Sequence, residues 1–292
     1  MHLLLSFVAA VTAAVNSIGI RLFQEKVQKN RRDLQAYQTL YIFLSSVVFL
    51  LISGFRFPVT TEGRLLTIGF GLALALSTIG MAESFLCGPM SLSSVIISCN
   101  VLMPIVYGCL VYRESIGIFH LLGIMFLLAT FVLTGIGAKE GKRGISLKWI
   151  LLVLTAFFGN GLGAIIETIY SRLPEANNNN GFMSISFFLG SLMLLGYVTF
   201  SGRNGRKKQE PVCVTLPFVG LAVWAALGCF VTNMLLLYLC GEMPASLLYP
   251  VYNGVNGVLV TVFSCVFFRE KMDRKKLLMI LLGICAVVFL NL

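Results

Sequence analysis

Ten apolar stretches, each about the 20 residues a helix needs to cross the hydrocarbon core of a bilayer, take up almost the whole of this 292-residue chain. They run from Leu3 to Phe23, Leu34 to Ser53, Leu65 to Phe85, Ser91 to Val111, Ile116 to Ile136, Trp149 to Tyr170, Phe182 to Phe200, Leu216 to Leu239, Ala245 to Phe268 and Leu277 to Leu292. The runs are continuous, whereas the strands of a membrane barrel alternate apolar and polar residues over about 10 positions. The pattern therefore predicts an all-α, polytopic membrane protein with ten transmembrane helices. Only 12% of the residues are charged and 58% are hydrophobic. A water-soluble domain carries about twice that share of charge, so no soluble domain is expected between the spans.

The net charge of +10 raises nucleic acid as a partner, but the placement of the charges argues against it. Of the 22 basic residues, only Arg56, Arg64, Arg113 and Arg172 fall on the side of the even-numbered connections; the other 18 fall on the side of the odd-numbered ones. Basic residues collect in cytoplasmic loops. The asymmetry predicts a multi-pass protein of the cell (plasma) membrane with odd-numbered loops in the cytoplasm and both termini outside. The first span resembles a signal peptide in its apolar core, but it lacks the basic n-region, so a retained helix is expected.

Eight cysteines and two histidines, His2 and His120, give no CxxC pair and no zinc-ligand spacing. Seven of the cysteines lie in or at the ends of spans, where they read as small buried hydrophobes; Cys213 alone lies in a loop. No catalytic grouping and no phosphate loop of the GxxxxGKS type occurs. An enzyme, an ATP-driven pump and a metal or organic cofactor are not expected.

The chain repeats itself. Leu86-Cys87-Gly88-Pro89-Met90-Ser91-Leu92-Ser93 matches Leu239-Cys240-Gly241-Glu242-Met243-Pro244-Ala245-Ser246 at an offset of 153, and the same offset carries Asn100 onto Asn253. Tyr112-Arg113-Glu114 and Phe268-Arg269-Glu270 close the two spans, and Gly123 and Gly283 follow in the next helices. A weaker echo pairs Asn16 and Gly19 with Asn160 and Gly163. A unit of five spans is odd, so the second copy must enter the membrane from the opposite side. Residues 1–140 and 146–292 are thus expected to form an inverted repeat, an arrangement whose substrate sites lie near the midplane between the copies. The acidic residue after spans four and nine (Glu114, Glu270), the early glycine of spans five and ten and the five-plus-five arrangement resemble the drug/metabolite transporter superfamily, in its ten-helix EamA-like branch. That resemblance implies a transporter, and members of the branch are drawn with both termini in the cytoplasm.

Polar side chains within a span are costly unless they meet a partner or water. In span nine, Tyr249, Tyr252, Asn253 and Asn256 recur at i, i+3, i+4 and i+7 and make one polar-aromatic face. Asn16, Asn100 and Asn160 lie mid-span elsewhere, and these seven residues are the expected substrate site. Pro104 and Pro250 bend helices beside it. Glu167, near the end of span six, is the candidate proton relay. No Lys or Arg lies near the middle of a span, so a phosphorylated cargo would lack a counter-charge. The expected function is secondary transport of a small polar neutral or zwitterionic, amino-acid-like metabolite by alternating access. A multidrug or lipophilic-cation exporter is the alternative, and a non-transporting scaffold or lipid-handling protein is the rival from another class. The expected partners are the small-molecule substrate, membrane lipids and at most a second copy in a homodimer, with no nucleic acid.

Overall fold

The computed structural model describes residues 2–27, 31–58, 60–135, 146–174, 179–203, 214–267 and 274–290. Glu270 and Cys213 therefore lie outside the described residues. The helices are α1 (His2–Lys26), α2 (Arg31–Ser53), α3 (Thr61–Cys87), α4 (Met90–Ser98), α5 (Leu102–Val111), α6 (Ile118–Gly135), α7 (Leu147–Tyr170), α8 (Asn179–Arg203), α9 (Leu216–Glu242), α10 (Ala245–Phe267) and α11 (Arg274–Leu290). A single 3-10 turn, Cys99–Val101, joins α4 to α5. Counting α4, this turn and α5 as one broken helix gives ten among the described residues. Eight of them are long and apolar enough to cross a membrane; α6 and α11 are shorter. Their outer surface is apolar, with Leu110 78% and Leu4 67% exposed. Such a surface suits lipid and not water.

The break in the fourth helix has a local cause. Pro104 has no N–H to give the carbonyl four residues earlier, which belongs to Asn100. The chain tightens into the 3-10 turn at that point, and Asn100 sits within it. Pro250 leaves α10 continuous.

Long helices pair as α1 with α9, α3 with α7, α2 with α8 and α6 with α11, and α10 also packs on α1, α5 and α11. Exchanging the first five spans for the last five leaves the first four pairings unchanged and carries the packing of α10 on α1 and α11 onto that of the broken fourth helix on α7 and α6, which is also present. The α3–α7 crossing is the tightest kind of contact, because backbone meets backbone. A Cβ on Gly80 would stand 2.7 Å from the Ala156 nitrogen, and one on Gly159 would stand 2.8 Å from that of Ser77. Small residues at a crossing are the usual means of close helix approach in lipid, where van der Waals packing must supply the attraction.

The two ends of the bundle close differently. At one end Trp149 covers Gly88 and donates its indole N–H to Ser93 Oγ at 2.8 Å, tying α7 to α4. At the other, Glu114 leaves the α5–α6 connection and caps α10. Its Oε1 accepts the Ala245 N–H at 3.2 Å and its Oε2 accepts that of Ser246 at 3.0 Å, while Arg172 after α7 donates to Oε1 at 2.9 Å. A carboxylate at a helix N-terminus satisfies free amides and the helix dipole together. Arg113, at φ +53°, turns the chain so that Glu114 lies against Gly108, and the Arg172 guanidinium stacks 3.6 Å above the Tyr112 ring. Burial pushes the Glu114 carboxyl upward, but the Ser246, Arg172 and Ala245 donors outweigh it and hold the group below the ordinary carboxylate range.

Candidate functional site

A cavity of about 290 Å³ opens inside the bundle, lined by the broken fourth helix, α3, α7, α9 and α10. Its polar wall is Asn100 of the 3-10 turn, Asn160 and Glu167 of α7, Asn233 of α9, Tyr249, Tyr252 and Asn253 of α10, and Ser77 of α3; Phe70, Leu74 and Leu236 make the apolar part. Both sequence halves contribute. Helix periodicity explains the convergence: Asn160, Gly163 and Glu167 share one face of α7, and Tyr249, Tyr252 and Asn253 share one face of α10.

Five of the seven expected substrate residues thus meet at one cavity, and Glu167 joins them. Asn256 and Asn16 do not line it. Asn256 is half-buried one turn beyond Asn253, and its Oδ1 is buried with no hydrogen-bond donor. Asn16 packs against Gly228 of α9, in line with the Thr12 and Thr232 hydroxyls, which lie 2.9 Å apart. This stripe of α1 joins helices. Asn233 and Ser77 were not expected from the sequence. Asn233 is a single amide in an otherwise apolar segment, and its position relative to the mid-span asparagines was the signal available.

Glu167 is 5% exposed. Tyr249 donates its hydroxyl to Ala164 O at 2.8 Å and to Glu167 Oε2 at 3.1 Å, and Cys240 Sγ lies 3.3 Å from the Tyr249 hydroxyl oxygen. One phenolic hydrogen serves both acceptors, and no Lys, Arg or His appears among the lining residues. On the lipid side of the α3–α7 crossing runs an apolar groove of about 490 Å³, lined by residues such as Leu72, Leu76 and Leu162. Gly159 belongs to both walls, so one close helix contact separates the polar cavity from lipid.

Residues 147–292, half of the chain, match the sequence profile of the EamA-like transporter family. The chain belongs to this family. The EamA-like match covers α7 to α11, which carry most of the cavity's polar wall, and it makes the protein a membrane transporter of the drug/metabolite type. No curated protein matches the chain. A solved crystal structure superposes with a TM-score of 0.73 over 100% of this chain and 98% of that one at 14% identity. At that identity the likeness speaks for the fold alone, and it covers both halves of the chain.

Proposed function

We propose that this protein is a secondary transporter of a small polar, amino-acid-like metabolite, neutral or zwitterionic, and that the cavity between α7, α9, α10 and the broken fourth helix holds the cargo. The observation that carries this reading is the convergence of four asparagines, two tyrosines and one carboxylate on a single buried space in a bundle otherwise built from apolar helices. So much polarity inside a membrane needs a polar occupant or water. At about 290 Å³ the cavity lies at the small end of the range of ligand pockets, about 300–1,000 Å³, and is of a size for a metabolite.

Residues 1–140 and 146–292 are read as inverted five-helix copies, supported by the symmetric helix pairings. Rocking one copy against the other would expose the cavity to each side in turn. The Glu114–Arg172 contact joins the copies at one end and Trp149 on Ser93 at the other, so each is suited to open while the opposite one holds. Glu167 is the proposed proton relay, being the one carboxylate in the cavity wall. The plasma membrane is the proposed location, with odd-numbered loops in the cytoplasm.

A thermal-shift screen of the purified protein against a metabolite library, followed by flux into proteoliposomes, tests the reading. A cargo at 100 times its Kd should stabilise by about 2.7 kcal/mol, and flux should follow the stabilising compounds. A protein that moves none of its stabilising ligands across the bilayer, with the cavity residues closed to water-borne labels from both sides, would be a scaffold instead.

A further inference from the structure

Acceptors dominate the lining of the cavity, where the Tyr252 hydroxyl is the one side-chain O–H not already given to an acceptor among the described residues. A side-chain amide has a donor end and an acceptor end. In all four lining asparagines the donor end is turned back to the helix that bears it and gives one of its two hydrogens to a backbone carbonyl: Nδ2 donates to Ile97 O from Asn100 (2.6 Å), to Ala156 O from Asn160 (3.1 Å), to Cys229 O from Asn233 (2.8 Å) and to Tyr249 O from Asn253 (2.8 Å). A backbone carbonyl only accepts, so which end of each amide faces the helix is fixed by chemistry. Each Oδ1 is left without a protein donor among the described residues. Glu167 adds two more acceptor oxygens with a single shared phenol hydrogen between them and no cation beside them. The nearby Arg172 is already engaged by Glu114.

Resting on the reading that the cavity holds the cargo, we infer that the protein grips its cargo by a primary ammonium group, held by Glu167 and the amide oxygens, and that a carboxylate on a zwitterionic cargo adds nothing to this hold, having no cationic partner in the site. An ammonium brings three donors and one positive charge, which is what four unpaired amide oxygens and a buried carboxylate lack. A carboxylate would face those same oxygens with no lysine, arginine or histidine to receive it, and burying an anion without a partner is strongly unfavourable. The amide oxygens alone would also take hydroxyl donors; Glu167 adds the preference for positive charge.

Three matched compounds separate the possibilities: L-leucine, isoamylamine, which is leucine without its carboxylate, and 4-methylpentanoate, which is leucine without its amino group. The aromatic trio of L-phenylalanine, phenethylamine and 3-phenylpropionate repeats the test on a larger skeleton. Binding to the full-length protein in detergent is followed by thermal shift and calorimetry. In at least one trio the amine should bind as tightly as the amino acid or more tightly, and the acid should not bind. Glu167→Gln should weaken amine binding by at least about tenfold, and Asn160→Ala by about 5-fold to 150-fold. Preference for an acid over its amine, or failure of both amines to bind, overturns the inference. If compounds bind but neither variant nor Asn253→Ala changes their affinity, the cavity is not the cargo site and the functional reading falls with it. Loss of binding in Asn253→Ala together with a preference for acids would sink the amine inference alone.

Discussion

A side chain inside a membrane is either glue or wall, and the difference lies in whether it meets a neighbouring helix or a cavity. Asn253 uses its amide N–H on Tyr249 O and leaves its oxygen to the cavity. Asn253→Ala should therefore weaken cargo binding by about 5-fold to 150-fold, the equivalent of about 1–3 kcal/mol for a polar ligand left unpaired. Melting temperature should change little, and calorimetry beside a thermal melt checks both. Asn16, wedged against Gly228, is the opposite case: Asn16→Leu should lower the melting temperature and leave affinity unchanged. The sequence could not separate these two roles, because an amide at a tight crossing and one at a cavity wall are equally polar and equally mid-span. Asn256 fails for another reason. It points in nearly the same direction as Tyr249 and Asn253, but seven residues carry it about 10 Å farther along the axis than Tyr249, beyond the end of the space. Periodicity reports direction around a helix, not where a cavity stops. Asn233 escaped notice because the repeat gives it no echo: the position 153 earlier is Gly80, which serves the α3–α7 crossing.

All ten helices were legible in the sequence, because their apolar runs leave no alternative in lipid. The 3-10 turn at Cys99–Val101 was foreshadowed by Pro104, though only its coordinates show that it carries Asn100 into the wall. Two contacts between helices carry predictions. Gly159→Leu forces atoms into a backbone-to-backbone crossing and should destabilise by about 1–3 kcal/mol or more, read as an earlier thermal transition. The cap on α10 responds to pH. Because Glu114 is held below the ordinary carboxylate range in the folded protein, its stabilisation is fully present above that range and is lost as pH falls through the lowered value. The stability difference between the natural protein and Glu114→Gln should hence be constant around neutrality and shrink only in acid, once the pH falls into and below the ordinary carboxylate range. A difference that grew toward acid would mean that Glu114 works as a protonated donor.

On the scale of the whole molecule, orientation is the open variable with the simplest readout. The 18 to 4 division of basic residues is the ground for the proposed orientation, with odd-numbered loops in the cytoplasm. A fluorescent or phosphatase fusion after Leu292 should then report the outside; a cytoplasmic signal reverses the protein in its membrane and leaves the fold untouched. The cavity wall also divides unequally. Asn160, Glu167, Asn233, Tyr249, Tyr252 and Asn253 all come from the second half, and of the polar lining only Asn100 and Ser77 come from the first. In the proposed inverted repeat, the first copy carries the scaffold and the second chooses the passenger. Random mutagenesis confined to residues 147–292 should therefore yield variants with altered cargo far more often than the same mutational load placed in residues 1–135, where the expected harvest is variants that fold less well.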